Sequence, residues 1–368
     1  MRILIAPDKF KGSLTAGDAA AAIRAGFDSV FSGAEFDLAP VADGGEGTAE
    51  IFRQALGGEH VEIASHDALG REITASYSLI PGEIAVIDMS SASGLWRISD
   101  DQRDPLRSST FGTGELVADA IARGAKDLII GLGGSATNDG GAGMAAALGW
   151  KFLDEKGEPV PSRPSEFLRF RRIVTPEARA FRSVTGLCDV KNPLLGELGA
   201  TKVFGPQKGA TPEMQVTLER SLEHLAHLFA DQFGIDHANS PGAGAAGGLG
   251  FGLLAFCGGS LEPGFQAVSR LMDLENKVRL ADLVLTGEGR LDAQSLQGKA
   301  PYEIGRLAAS HGKPVIGFAG LVDEVFPELD ACVPIANGPL TLDESRQRAA
   351  ELLRSAAERT ARLLKIKL

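Results

Sequence analysis

The sequence predicts an α/β protein of two domains with mainly parallel sheets, one domain inserted into the other and a cleft between them. Three observations predict it. Short apolar runs alternate with amphipathic stretches along the chain, the pattern of strand–helix repetition and parallel pairing. The 368 residues exceed what one hydrophobic core usually serves. Glycine is abundant, at 46, while aromatic residues make up only 6%. Many turns and close backbone approaches suit an α/β enzyme better than a β sandwich.

The elements follow in order. Ile3–Ala6 reads as a strand, and Thr15-Ala-Gly-Asp18 supplies a capping-box pattern before a helix through Phe27. Tyr77–Ile80 and Ala85–Asp88, joined by a Pro81-Gly82 turn, read as a hairpin. A helix over Glu115–Arg123 stops at Gly124, and Asp127–Leu132 is a strand. Val184–Leu187 is a strand ending at Cys188-Asp189. Val216, Leu218, Leu222, Leu225 and Phe229 recur near helical spacing within a long helix, Glu213–Phe233. Ala281–Thr286 is a strand, Ala300–Ser310 a helix, Val315–Ala319 a strand and Glu344–Leu364 a terminal helix. The hairpin interrupts the alternation, which places domain crossings near residue 70 and near 275–280. The expected domains are a discontinuous Rossmann-like α/β domain of residues 1–70 and 278–368, and an inserted α/β domain of residues 71–277.

Composition excludes some functions. A net charge of −11 repels nucleic acid and anionic membrane. Cys188, Cys257 and Cys332 are far apart, odd in number and in no metal-ligand spacing, which fits a reducing cytoplasm. Met1–Ala6 enters a strand directly, without signal-peptide anatomy, and the apolar stretch near 243–257 is too rich in glycine to span a bilayer. A cytoplasmic location is expected; oligomeric state is not encoded in any motif.

Polar loops recur just after the strands, where open α/β sheets bind ligands. The most informative is Gly131-Leu-Gly-Gly-Ser-Ala-Thr-Asn-Asp-Gly-Gly-Ala-Gly143, in which six of thirteen residues are Gly. It lies between a strand and the apolar run Met144–Leu148. A strand–turn–helix of this kind bares backbone N–H groups and suits a phosphate, although no Walker A motif occurs. Read alone, the loop is equally a tight structural turn. Further loops are Asp8–Ser13, Asp43–Thr48, Thr110–Glu115, Asp189–Pro193, Gly205-Pro-Gln-Lys-Gly209 and Gly287–Asp292. Together they load the strand ends with Gly, Lys, Asp and Glu, as a charged ligand requires.

Lys9, Lys11, Lys191 and Lys208 are candidates to neutralise phosphate or carboxylate, and Arg71 and Arg290 to clamp a carboxylate. Any one of them alone is better explained as a solvated surface charge; Lys11, beside Gly12 and Ser13 between a strand and a helix, is the best of the set. Asp43, Glu46, Asp189, Glu288 and Asp292 are candidates for magnesium or base chemistry, against turn and cap roles. Asp139 is balanced between those readings, while Asp189, at a strand end before Asn192-Pro193, leans toward chemistry. The six His residues show no metal spacing, and the serines lack a G-x-S-x-G elbow. Gly242–Gly250 fits either backbone ligand binding or tight packing.

These loops resemble those of the type 1 glycerate kinases, including the bacterial glycerate 2-kinases. The matching residues are Ala6-Pro-Asp8 with Phe10–Leu14, Pro40–Thr48, Leu69-Gly-Arg71, Ala92–Leu95 and Gly112–Leu116. Gly133–Gly141, Cys188–Val190 with Asn192–Leu194, Val203–Gly209, Gly242–Gly250 and Thr286–Asp292 complete the order. Lys9 stands where the family often has Ser, and Asp88-Met-Ser-Ser replaces a more usual Glu-Met-Ala.

The resemblance implies an active site in the interdomain cleft and a phosphotransferase that uses ATP and Mg²⁺ to phosphorylate a hydroxyl of D-glycerate, most often giving 2-phosphoglycerate. Glycerate is then the partner; a related small hydroxy acid, or nucleotide binding without catalysis, are the alternatives. The expected nucleotide contacts are Gly133, Gly134, Ser135, Thr137, Asn138, Gly140 and Gly141. Asp189, Lys11 and Asp8 are the catalytic candidates, Ser13, Arg71 and Arg290 the substrate-binding ones, and Asp43, Glu288 and Asp292 the magnesium ones.

Overall fold

The computed structural model describes residues 1–42, 44, 45, 47–177, 180–291, 299–323 and 326–366. Of the candidate residues, Asp43, Glu46 and Asp292 lie outside them. The strands are β1 (Arg2–Ile5), β2 (Glu35–Leu38), β3 (Glu59–His66), β4 (Glu72–Ile80), β5 (Ile84–Asp88), β6 (Asp127–Gly131) and β7 (Lys151–Leu153). There follow β8 (Arg172–Val174), β9 (Ser183–Leu187), β10 (Ser260–Glu262), β11 (Leu283–Leu291), β12 (Val315–Val322) and β13 (Ala331–Pro334). The architecture is α/β with mainly parallel sheets, as the alternation of runs predicts. Among the described residues, no helix is long and apolar enough to cross a membrane.

Two compact units divide the chain. The first is Met1–Asp43 with Phe265–Leu368, and the second is Gly44–Gly264. The crossings therefore fall earlier than residues 70 and 278. The physical reason is pairing: β3 forms eight residue pairs with β4, from Glu59↔Leu79 to His66↔Glu72, and so belongs to the second unit's sheet.

The first unit carries one five-stranded parallel sheet in the order β13-β12-β11-β1-β2. Ile3, Leu4 and Ile5 of β1 are all fully buried, as an inner parallel strand covered on both faces demands. The helix Ala16–Asp28 begins where Thr15 Oγ1 accepts the Asp18 N–H, the cap that the sequence announces. Its Ile23 and Phe27 pack with Phe318, Leu352 and Leu353 in one core. The expected terminal helix is two helices, Leu342–Gln347 and Ala349–Lys365. A capping box between Thr341 and Glu344 starts the first, and Arg348 leaves helical geometry between them.

The second unit carries a six-stranded sheet in the order β10-β9-β6-β5-β4-β3. β10, β9, β6 and β5 run parallel, and the hairpin expected around Pro81-Gly82 adds β4 antiparallel to β5. Register sets the functional end of this sheet. Asp88 pairs with Gly131 and Gly131 with Leu187. The segments leaving β5, β6 and β9 therefore emerge side by side. Those segments are Met89–Gly94, the Gly-rich turn and Cys188–Pro193. A separate aromatic core of Phe152, Phe167, Phe170, Phe229, Phe251 and Phe256 sits beneath the helix Pro212–Phe233. Of the apolar stripe read for that helix, Val216 is instead 60% exposed.

Candidate active site

The Gly-rich turn leaves β6 and enters the helix Ala142–Ala147. Two backbone bonds anchor it to the neighbouring segment, Leu95 N–H to the Gly134 carbonyl (2.8 Å) and Ala136 N–H to the Ser93 carbonyl (2.9 Å). The N–H groups of Gly133, Gly134 and Ser135 donate to nothing among the described residues. Gly134 is exposed and Gly133 partly so. Three consecutive donors with no acceptor, beside solvent and ahead of a helix, can receive an anion.

The rest of the turn is buried and held from within. Asp139 is fully buried, and its carboxylate accepts the Thr110 N–H (2.7 Å), the Thr110 hydroxyl (2.9 Å), the Gly143 N–H (3.1 Å) and the Gly141 N–H (3.2 Å). Burial pushes its pKa up, and these hydrogen bonds oppose the shift. The two readings of Asp139 thus resolve in favour of shaping the turn. Thr110, absent from the candidate list, is the hinge of this arrangement; its Oγ1 also accepts the Met144 N–H (2.8 Å). Its position just before the helix-opening Phe111-Gly-Thr-Gly was the available signal.

The second glycine run backs the first. Gly247 accepts the Gly140 N–H at 3.1 Å. A Cβ on Gly247 would lie 1.9 Å from the Thr137 carbonyl oxygen, and one on Gly252 would lie 2.7 Å from the Gly141 Cα. Gly242–Gly250 is buried, so tight packing accounts for it. Lys208 reaches in from the Gly205–Gly209 turn, with Nζ donating to Ser135 Oγ (2.8 Å) and to the Thr137 carbonyl (2.6 Å). Burial pushes its pKa down to about 7, against the pull of Asp139. Asn138 Nδ2 donates to Thr201 Oγ1 at 3.1 Å.

Asp189 stands where β9 ends. It is exposed, and its Oδ1 accepts the Gly264 N–H at 2.9 Å. Cys188 beside it is held as a thiol: its Sγ–H donates to the Val190 carbonyl, and burial pushes its pKa up to about 11. Asp88, at the end of β5, accepts the Gly47 N–H (2.9 Å) and the Ala49 N–H (3.3 Å). It thereby caps the helix Thr48–Leu56 from a distant strand, which no local pattern reveals.

Arg71 is held by its own loop and by residues 97–102. Its Nε donates to Asp67, Nη1 to Gln102 (2.9 Å) and Nη2 to the Arg97 carbonyl (3.0 Å). Asp67 in turn is buried and accepts the Leu69 and Arg71 N–H groups. The oriented guanidinium borders a cavity of about 500 Å³ shared with Arg103 and Arg107.

In the first unit, parallel pairing brings two candidate loops together. The Asp8 N–H donates to the Gly287 carbonyl at 2.8 Å, next to Glu288. Asp8 and Glu288 are both buried; Asp8 accepts the Lys9 N–H, and Glu288 faces Lys299 Nζ at 3.4 Å. Lys11 and Ser13 lie on the exposed part of the same loop, with the Ser13 hydroxyl donating to the Phe10 carbonyl. Arg290 pairs with Asp323.

Comparison with known proteins bears on these loops. The model of the Glycerate kinase family matches residues 3–365. A glycerate kinase of Bacillus subtilis (strain 168) is 44% identical over 98% of this chain and 96% of its own. The glycerate 2-kinase of Escherichia coli (strain K12) is 40% identical over 100% and 98%. A crystal structure from Salmonella typhimurium LT2, provisionally named glycerate kinase 2, superposes with a TM-score of 0.91 at 41% identity, covering 100% of this chain and 99% of that one.

Proposed function

Because the chain belongs to the glycerate kinase family, we propose that it transfers the γ-phosphoryl group of ATP to the 2-hydroxyl of D-glycerate, giving 2-phosphoglycerate. The observation that carries this reading is the set of backbone N–H donors of Gly133, Gly134 and Ser135, without acceptors among the described residues and partly open to solvent. Nucleotide phosphates fit such a cradle. The name of the Escherichia coli relative supports the 2-position.

Phosphoryl transfer asks a protein for positioning and charge neutralisation more than covalent chemistry. In our reading Gly133, Gly134, Ser135, Thr137, Asn138, Gly140 and Gly141 form the nucleotide-binding turn, the accessible N–H groups touching phosphate and the buried residues shaping it. Asp189 orients the attacking hydroxyl and takes its proton. Lys11 neutralises charge, and Asp8 assists in catalysis. Ser13, Arg71 and Arg290 serve substrate binding; Arg71 retains one N–H on each terminal nitrogen beyond the bonds that orient it. Glu288, with Asp43 and Asp292, is assigned to magnesium, and a buried carboxylate suits a hard cation that keeps most of its waters. Magnesium bound with the nucleotide offsets the charge of the transferred group. A cytoplasmic setting belongs to the same reading, supported by the lack of disulfides among the three cysteines.

The test is ADP release measured with glycerate, tartronate and lactate. Turnover with glycerate at least about tenfold above the other two is the expected result, since lactate lacks one hydroxyl and tartronate adds a second carboxylate. Preference for either analogue would transfer the site to a related hydroxy acid. ADP binding without turnover on any of the three would make this a binding protein.

A further inference from the structure

Lys208 is a buried amine in a polar setting with few charged groups. It ends the one-turn helix Pro206–Lys208 and is 1% exposed. Its ammonium donates to Ser135 Oγ and to the Thr137 carbonyl, so it grips the Gly-rich turn at two points from the buried side. Thr137, Asn138 and Asp139 beside it are fully buried. Two of their acceptors, Thr137 Oγ1 and Asn138 Oδ1, have no hydrogen-bond partner among the described residues. The charged groups around Lys208 are few. Asp139 attracts it, but that carboxylate is already engaged by four donors. Arg103, whose Nη1 donates to the Gln207 carbonyl at 3.1 Å, adds a like charge near the same turn.

Stability does not explain this arrangement. A charge taken out of water costs more than one already engaged carboxylate returns. Buried ionisable groups with shifted protonation cluster at binding and catalytic sites.

We propose that Lys208 is a positioning residue of the nucleotide site: it fixes Ser135 and Thr137 so that the N–H groups of residues 133–135 face the phosphates, and it supplies through the turn the positive charge those phosphates meet. This rests on the nucleotide occupying the turn, as proposed above. One consequence separates it from a merely structural lysine. In the free protein burial holds the Lys208 pKa near 7, so at pH 8 most of it is neutral. Phosphates arriving on the other side of the turn favour the ammonium form. Nucleotide binding at pH 8 therefore takes up a proton at Lys208, and by linkage affinity falls as pH rises above 7.

The experiment is calorimetry of magnesium–ADP binding at pH 8 in two buffers of different ionisation enthalpy, with amide hydrogen exchange of residues 133–141 recorded alongside. The wild-type protein is expected to take up roughly half a proton or more. K208M is expected to take up none and to bind ADP about tenfold more weakly. S135A, which keeps the lysine and its other anchor, retains the uptake. Binding with protection of the turn but no proton uptake would overturn the role of Lys208 and leave the nucleotide site standing. Equal uptake and affinity in K208M would do the same. ADP binding that leaves the 133–141 amides unprotected would overturn the nucleotide site itself. Where K208M does not fold, absence of uptake by the wild-type protein still overturns the role, and K208R, whose guanidinium stays charged at pH 8, is expected to take up no proton.

Discussion

Replacing Asp189 with Asn is expected to lower turnover with glycerate by about 10²–10⁴-fold, with nucleotide affinity within about twofold of wild type. The geometry makes this substitution informative. Asp189 Oδ1 accepts the Gly264 N–H, and the amide oxygen of Asn accepts the same bond. The loop after β9 therefore keeps its shape, while the ability to take a proton from the attacking hydroxyl is lost. Steady-state kinetics with both substrates varied would read the effect as a fall in kcat with little change in KM for nucleotide. Wild-type turnover in the variant would remove Asp189 from the chemistry. A fall in nucleotide affinity alone would make it a binding residue.

The largest expected effect on stability comes from Gly247→Ala. Gly247 sits at φ +67°, and a Cβ there would meet the Thr137 carbonyl oxygen at 1.9 Å and the Asn138 Cα at 2.7 Å. Backbone atoms of the Gly-rich turn would have to move, because no flexible side chain stands in the way. Conformational strain and overpacking together are expected to cost about 2–5 kcal/mol, a fall in Tm of roughly 5–15 °C for a unit of this size. Gly234→Ala is the control. Gly234 has a similar φ of +72° at the end of the helix Pro212–Phe233, with nothing within 4 Å of an added Cβ. Its expected cost is only about 1 kcal/mol. Similar melting temperatures for the two variants would mean that the packing of the second glycine run against the first is not what makes Gly247 necessary.

The contrast between those two glycines shows which parts of the molecule could be read from sequence. Local chemistry was legible. Thr15 begins its helix by accepting the Asp18 N–H, the Pro81-Gly82 turn joins β4 to β5, and Ala300–Ser310 is a helix with the boundaries read for it. Each of these is decided within a few residues. Elements decided by distant partners were not legible. β2 is a short edge strand whose four residues are all partly or fully exposed, so no burial pattern marks it. Asp88 caps a helix that begins forty residues earlier in the chain. A run of glycine looks the same whether it holds a ligand or another backbone, and only the approach of Gly247 to Thr137 separates the two. Lys208 could be named among four lysines, but its burial against Ser135 depends on a contact across 73 residues. The site follows the same rule. The loops carrying its chemistry were visible as motifs, whereas the bonds by which Asp67, Thr110 and Asp139 hold those loops in shape appear only in three dimensions.

The central claim is ATP-dependent phosphorylation of the 2-hydroxyl of glycerate, and the phosphorus NMR spectrum of the product tests it most directly. With ATP, magnesium and D-glycerate, the account predicts conversion of ATP to ADP and one new phosphomonoester signal. A phosphate on the 2-oxygen couples to a single carbon-bound proton and gives a doublet. A triplet, from the two protons of a 3-phosphate, would contradict the assigned position. Inorganic phosphate in place of any monoester, or ATP left intact, would contradict the phosphoryl transfer itself.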